Sequence, residues 1–352
     1  MQSVSLQLMK AMEEMEEVEL ETLIQRTPWK NIGYSTTGFL FRLLYLIPSA
    51  VERFRPDVIL FSSMVTAIVA PFLSRKVDTP MIAINHGQDV TLPLWIYQKY
   101  LPVVFRHLSG VISVSEATRR ESIKRGMAPE KGIALPNGLD PARSVNLPAA
   151  DVSRRVLAEQ FGIDSDPARP LILTVGRQVK RKGHAWFIRE VMPLLAEEVE
   201  YLIVGDGPEY GVIQQQIEDS GFGSRVFLTG RQPDEILQMA YSAANLFVMP
   251  NIPVEGDMEG FGIVLLEANQ AGVPAVASDL EGIRDVITQG VNGYRVPYGD
   301  AEAFAEKVKY VLSHERESLS VSAKEHVLEQ FSWNRVVREY VAFLRRVAEN
   351  SQ

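Results

Sequence analysis

Short, wholly apolar runs alternate along this chain with segments whose apolar positions recur every three or four residues. The runs at Asp57–Phe61 (DVILF), Pro80–Asn85 (PMIAIN), Gly110–Val114 (GVISV) and Gly132–Leu135 predict strands buried on both faces. Helices are expected between them at Phe39–Arg53, Ser63–Ser74, about 93–107 and Ser115–Arg125. Ahead of these, the spacing is helical from Leu8 onward within residues 3–17. Val18–Ile24 (VELETLI) alternates apolar and polar as a strand does. Thr27–Gly38, with Pro28, Gly33 and Gly38 among polar residues, reads as a loop.

A polar turn and linker from Asn137 to about 150, a helix at about 151–160 and a turn-rich stretch at Asp164–Pro170 separate this pattern from a second one. The second predicts strands at Leu171–Val175, Tyr201–Val204, Val226–Thr229, Leu246–Met249, Pro274–Ala277 and Tyr294–Val296. Helices are expected at about 183–197, at about 209–220, at Pro233–Ser242, from about Gly262, and at Gly282–Thr288. Three more close the chain at about 301–313, 317–330 and 333–349. Strand–helix alternation with apolar strands implies parallel sheets covered on both faces. The fold class is therefore α/β, as two successive Rossmann-like domains.

Composition narrows the function. A chain of 352 residues with 46% hydrophobic content can build two cores. Its net charge of −8 argues against a nucleic-acid partner. With no cysteine, disulfides, thiol catalysis and Cys-ligated metals are excluded. No charged segment followed by an apolar one stands at the start, so no signal peptide is expected. The most apolar stretch, Phe39–Val51, is too short to span a bilayer and carries Arg42. A cytoplasmic protein is expected, with contact at the inner face of a membrane left open. Such a helix more often packs in a core.

Ligands of open parallel sheets bind beyond the C-terminal strand ends. After Leu171–Val175 comes Gly176-Arg177 and, five residues past the arginine, Lys182-Gly183. Arg177 can fork onto two phosphate oxygens and Lys182 adds a compact charge; the competing reading is a basic surface turn, Lys180–Lys182. After Leu246–Met249 comes Glu259, a Gly260-Phe261-Gly262 hinge and, at a helix start, Glu267. Glycines admit a ligand to the backbone, and free N–H groups at a helix N-terminus favour an anion. His86, at a strand end beside Gly87, is the notable group of the first domain. Gly205-Asp206-Gly207-Pro208 is not a dinucleotide fingerprint, because Gly211 comes one position too late. Asp257 near Glu255 reads as a solvated acidic loop, and Asp164-Ser165-Asp166 as a chance match to a metal–nucleotide pattern. Arg119, Arg120, Lys124 and Arg125 read as a solvated helix face, and Trp95 and Tyr97 as packing residues or cleft walls.

Taken together the residues resemble the family 4 retaining glycosyltransferases of the GT-B fold. The matching stretches run in order: ISVSE (Ile112–Glu116), PNGLD (Pro136–Asp140), GRQVKRKG (Gly176–Gly183), VGDGPE (Val204–Glu209), EGFGIVLLE (Glu259–Glu267) and NGYRVP to Pro297. The resemblance implies two Rossmann-like domains facing a cleft. Residues 1–145 would form the acceptor side, 146–330 the nucleotide-sugar domain, and 331–352 a helix crossing back to the first. Arg177 and Lys182 would bind the donor diphosphate, with the helix start behind Gly260–Gly262 suited to the same anion. Glu267 would bind the ribose hydroxyls. Glu259 and the backbone of Gly260, Phe261 and Gly262 would contact the transferred sugar, and His86 would face that sugar. No cofactor or metal is expected. The partners are a UDP- or GDP-linked sugar and a glycan or lipid-linked acceptor.

Family members normally begin with a strand and a glycine-rich loop, whereas Met1–Val4 reads as the start of the following helix. A truncated chain or a misassigned start is the expectation. Two rivals follow: an NAD-dependent or epimerase-type enzyme, opposed by the missing fingerprint and by PNGLD and EGFG, and a scaffold that binds a nucleotide sugar without turnover.

Overall fold

The structure is a computed structural model that describes residues 2–25, 32–140, 147–166 and 168–351. The chain separates into two compact units: Met1–Gly138 with Trp333–Gln352, and Leu139–Ser332.

The first unit holds a four-stranded parallel sheet with spatial order β1-β2-β3-β4, from β1 (Ile59–Phe61), β2 (Met81–Asn85), β3 (Gly110–Ser113) and β4 (Gly132–Ala134). Leu43 and Ile47 of the helix Ile32–Phe54 pack with Met64, Leu73, Leu101 and Phe105 in its core. The last helix, Trp333–Glu349, buries Trp333, Val336, Val337, Tyr340, Phe343 and Val347. It packs beside the first helix, Gln2–Glu13, where the Trp333 indole N–H donates to Gln7 Oε1 at 3.1 Å.

Three expectations change in this unit. Val18–Ile24 is not a strand: it joins no sheet among the described residues, and Leu20, Leu23 and Ile24 stand exposed. Alternation marks a strand only where a sheet edge receives it. The loop expected at Thr27–Gly38 is helical from Ile32 onward, with 26–31 outside the described residues. Glycines weaken a helix by about 1 kcal/mol each without forbidding one. The helix expected over Ser63–Ser74 is two single turns, Met64–Ala67 and Ala70–Leu73, because Pro71 has no N–H to continue the first.

The second unit holds a six-stranded, wholly parallel sheet of order β10-β9-β8-β5-β6-β7. Its strands are β5 (Leu171–Val175), β6 (Glu200–Val204), β7 (Val226–Gly230), β8 (Leu246–Met249), β9 (Ala275–Ser278) and β10 (Gly293–Val296). Ile172, Tyr201, Ile203, Leu246 and Val248 pack under Phe187, Ile188, Phe304 and Val308. The expected helix at 183–197 is three short pieces: His184–Trp186, a π-turn at Phe187–Val191 and a tight 3-10 turn at Met192–Leu194 containing Pro193. The chain builds β5, β6 and β7 outward in one direction, then returns so that β8 pairs with β5 on the other side. That reversal leaves a crevice at the C-terminal ends of β5 and β8, where such sheets bind ligands.

Candidate active site

Two loops meet at the crevice, one after β5 (Gly176–Gly183) and one after β8 (Pro250–Gly262). Their backbones touch. A Cβ on Gly183 (φ +67°) would fall 1.9 Å from the Pro250 carbonyl oxygen, and the Ile252 N–H donates to the Arg181 carbonyl at 2.8 Å. Only glycine fits the turn that brings these strand ends together.

Three donors converge there on one oxygen of Glu259. Lys182 Nζ and Arg181 Nη1 each reach Oε2 at 2.6 Å, and Asn251 Nδ2 at 3.1 Å. Arg181 Nε also donates to Asp257 Oδ1 at 2.9 Å. Glu259, Arg181 and Lys182 are 8%, 8% and 6% exposed. Burial alone would raise the Glu259 pKa. The charges of Lys182 and Arg181 and the donated hydrogen bonds more than offset this and hold it at about 2. Burial lowers the Lys182 pKa, against the pull of Glu259. No hydrogen bond reaches Glu259 Oε1 among the described residues.

The backbone of Glu259 is fixed from behind. Its N–H donates to Glu281 Oε2, and its carbonyl accepts from the Gly282 N–H at 3.1 Å. Glu281 sits at φ +43°, a strained setting for a side-chain-bearing residue. A Cβ on Gly282 would fall 2.3 Å from the Gly260 carbonyl oxygen. Gly262 (φ +78°) then turns the chain into the helix Ile263–Gln270, while Phe261 is buried against Phe331. Among the described residues no hydrogen bond occupies the N–H groups of Gly260, Phe261 and Gly262. Half-buried Glu267 accepts from the Tyr241 hydroxyl at 2.9 Å. Both line a shallow hollow with Leu147, Leu237 and Gln270.

The second unit thus brings Lys182, Glu259 and Gly260–Gly262 together. Arg177 is exposed, and no hydrogen bond or ion pair ties it down among the described residues. Arg181 and Asp257, read from the sequence as surface charges, are the residues that reasoning missed. Asp164 and Asp166 form a turn closed by Arg169 instead of a metal site.

His86 belongs to the first unit. Its ring Nε2 lies 2.9 Å from the Ser62 carbonyl oxygen, which can only accept, so Nε2 carries the hydrogen. Its backbone N–H donates to Asp89 Oδ1 at 2.9 Å, and Asp89 Oδ2 accepts from the Met64 N–H at 3.0 Å. Burial lowers the His86 pKa, and the nearby Asp89 carboxylate offsets this only in part. The Tyr97 hydroxyl donates to the Asp89 carbonyl at 2.6 Å, while Trp95 is 68% exposed.

Comparison with known proteins adds an independent line. The family model described as "Glycosyl transferases group 1" matches residues 169–314, and the one described as "Glycosyltransferase Family 4" matches residues 9–143. The amylovoran biosynthesis glycosyltransferase AmsK of Erwinia amylovora is 27% identical over 275 residues, covering 76% of this chain and 64% of that protein. A GDP-mannose-dependent alpha-(1-6)-phosphatidylinositol monomannoside mannosyltransferase of Mycolicibacterium smegmatis is 28% identical over 279 residues, covering 76% and 70%. The chain thus spans about two thirds of the length of these relatives. In fold it resembles Anabaena HepE, crystallised with UDP, at a TM-score of 0.72 and 20% identity over 90% of this chain and 83% of that one.

Proposed function

This chain belongs to the family 4 glycosyltransferases (glycosyl transferases group 1), of GT-B fold, and from that premise we propose that it moves a hexose from a UDP- or GDP-linked donor to a glycan or lipid-linked acceptor, with retention and without a metal. The observation that carries the reading is the convergence of Lys182, Arg181 and Glu259 at the β5/β8 crevice, beside three unoccupied backbone N–H groups.

Transfer breaks the bond from the sugar C1 to the diphosphate oxygen, and the electron pair leaves with the phosphate. Lys182, Arg177 and the N–H groups of Gly260–Gly262 are suited to stabilise that negative charge. The sugar carbon becomes oxocarbenium-like, and Glu259 accepts from the sugar hydroxyls through Oε1. The acceptor hydroxyl attacks from the face of the departing group and gives its proton to the leaving phosphate oxygen, which preserves configuration. Glu267 takes the ribose hydroxyls, and His86 is the proposed catalytic group of the first unit.

A lipid-linked acceptor is supported by Phe41 and Tyr45, exposed on the helix whose opposite residues Leu43 and Ile47 enter the core, and by exposed Phe72, Leu94, Trp95 and Ile96. Among the described residues no helix is long and apolar enough to cross a membrane. Co-sedimentation of the protein with anionic phospholipid vesicles, lost in F41S/Y45S, is the expected outcome.

The reading is tested by UDP or GDP release from UDP-glucose and GDP-mannose, with EDTA present. Glu259→Gln and Arg177→Ala are each expected to slow release by about 10²–10³-fold. Turnover within a few-fold of wild type in either variant would remove that residue from the site. Tight nucleotide binding with no turnover by wild type would favour a binding scaffold.

A further inference from the structure

Lys182 serves two anions. In this structure its Nζ bonds Glu259 Oε2 at 2.6 Å, and in the reading above it also binds the donor diphosphate. An ammonium is a compact point charge, and a diphosphate brought against it competes with the carboxylate for its protons. Arg181 stands where it can hold the carboxylate through that exchange. Its planar fork has one arm on Asp257 Oδ1 at 2.9 Å and another on Glu259 Oε2 at 2.6 Å. Its carbonyl, bonded to the Ile252 N–H, fixes it to the loop that carries Glu259.

We propose that Arg181 is the positioning residue of the reaction: it keeps the Glu259 carboxylate ionised and oriented, with Oε1 available to the sugar, while the charge of Lys182 is spent on the diphosphate. The proposal rests on the donor-site reading above. Arg181 touches no reacting atom. Its work is to prevent Glu259 from following Lys182 toward the phosphate or taking up a proton once that cation is shared. The charged groups around Glu259 are the cations Lys182 and Arg181 and the carboxylates of Asp257 and Glu281. Asp257 acts through Arg181, and Glu281 accepts the Glu259 N–H. With Arg181 removed, two carboxylates and one shared lysine remain, an arrangement that favours a protonated Glu259.

The test separates binding from turnover. Arg181→Met, Arg181→Lys and Asp257→Asn are made in the full chain. UDP and GDP affinities are measured by calorimetry, and donor hydrolysis, expressed per folded molecule, is followed from pH 2 to 8. In Arg181→Met the nucleotide Kd is expected to stay within about threefold while kcat falls by about 10²-fold, the scale of a misplaced catalytic group. The acid limb of kcat is expected to move up by about one pH unit, because loss of a neighbouring cation raises a carboxyl pKa. Arg181→Lys restores the pH limb and part of kcat, and Asp257→Asn lowers kcat several-fold with Kd unchanged. A purely structural role would lower the folded fraction without moving the limb. The proposal is overturned if kcat and its pH limb are unchanged in Arg181→Met. It is equally overturned if nucleotide affinity falls in step with kcat, since Arg181 would then be a phosphate ligand. Should Arg181→Met not fold, Asp257→Asn decides, and an unaltered kcat there overturns the proposal. If Glu259→Gln retains full activity, the donor-site reading itself has failed, a result distinct from inactive Glu259→Gln with unaffected Arg181→Met.

Discussion

The second unit buries two arginine–glutamate clusters, one at each end of its sheet, and they are built to opposite plans. At the N-terminal end Glu200, the first residue of β6, uses both oxygens. Oε2 accepts from Arg154 Nη2 at 2.8 Å, and Oε1 from the Asp164 N–H at 2.8 Å. Arg154 also donates through Nε to the Asp164 carbonyl and through Nη2 to the Arg169 carbonyl. At the C-terminal end Glu259 receives three donors on Oε2 and none on Oε1. Burial prevails at Glu200 and raises its pKa; at Glu259 burial is outweighed by the two cations and the donated hydrogen bonds together, which hold its pKa at about 2. A carboxylate engaged through both oxygens holds chain segments together. One whose carboxylate keeps a spare oxygen beside unoccupied backbone N–H groups is shaped for something that arrives.

The largest effect that could break this comparison is catalytic. Lys182→Ala and Glu259→Gln are each expected to lower donor turnover by about 10²–10³-fold, roughly 3–4 kcal/mol of transition-state stabilisation. Arg154→Met is expected to do the reverse. It leaves Glu200 buried without its cation and costs about 3–4 kcal/mol of stability in denaturant unfolding. The kcat of the molecules that remain folded is unchanged. If Arg154→Met depressed kcat as strongly as Lys182→Ala, the two ends would not be functionally distinct.

Acid sharpens the contrast next. Glu259 has a depressed folded-state pKa, so its contribution is present above the unfolded value near 4.5 and is lost as pH falls toward 2. Between pH 5 and 2 wild type is expected to lose about 3 kcal/mol more unfolding free energy than Glu259→Gln, measured by denaturant titration at each pH. The smallest effect is expected at the hollow around Glu267. Tyr241→Phe removes one hydrogen bond to that carboxylate and is expected to weaken nucleotide binding by about 1 kcal/mol, read by calorimetry.

The sequence made one of these clusters half visible and hid the other. Buried parallel strands are apolar on both faces, so β2, β3, β5, β6, β8 and β9 announce themselves as continuous runs. Lys182 and Glu259 were marked by their places after β5 and β8 and by the glycines around them. Arg181 was not: in the run Lys180–Lys182 it read as surface charge. Its carboxylate partners lie 76 and 78 residues away, beyond any local pattern. Arg154 and Glu200, 46 residues apart, were silent for the same reason. Val18–Ile24 failed in the opposite way, its local pattern complete but with no sheet edge to receive it.

The order in which β5 to β8 are made has a consequence for biogenesis. Lys182 is synthesised 77 residues before Glu259, and β6 and β7 must be laid down before β8 can return to the flank of β5. Until then the cations at the end of β5 have no carboxylate, and half a sheet can form without a site. Non-local pairing of this kind is the slow part of assembly. Enzyme activity should therefore reappear on refolding later than the sheet's own circular-dichroism signal, as the last thing the chain acquires.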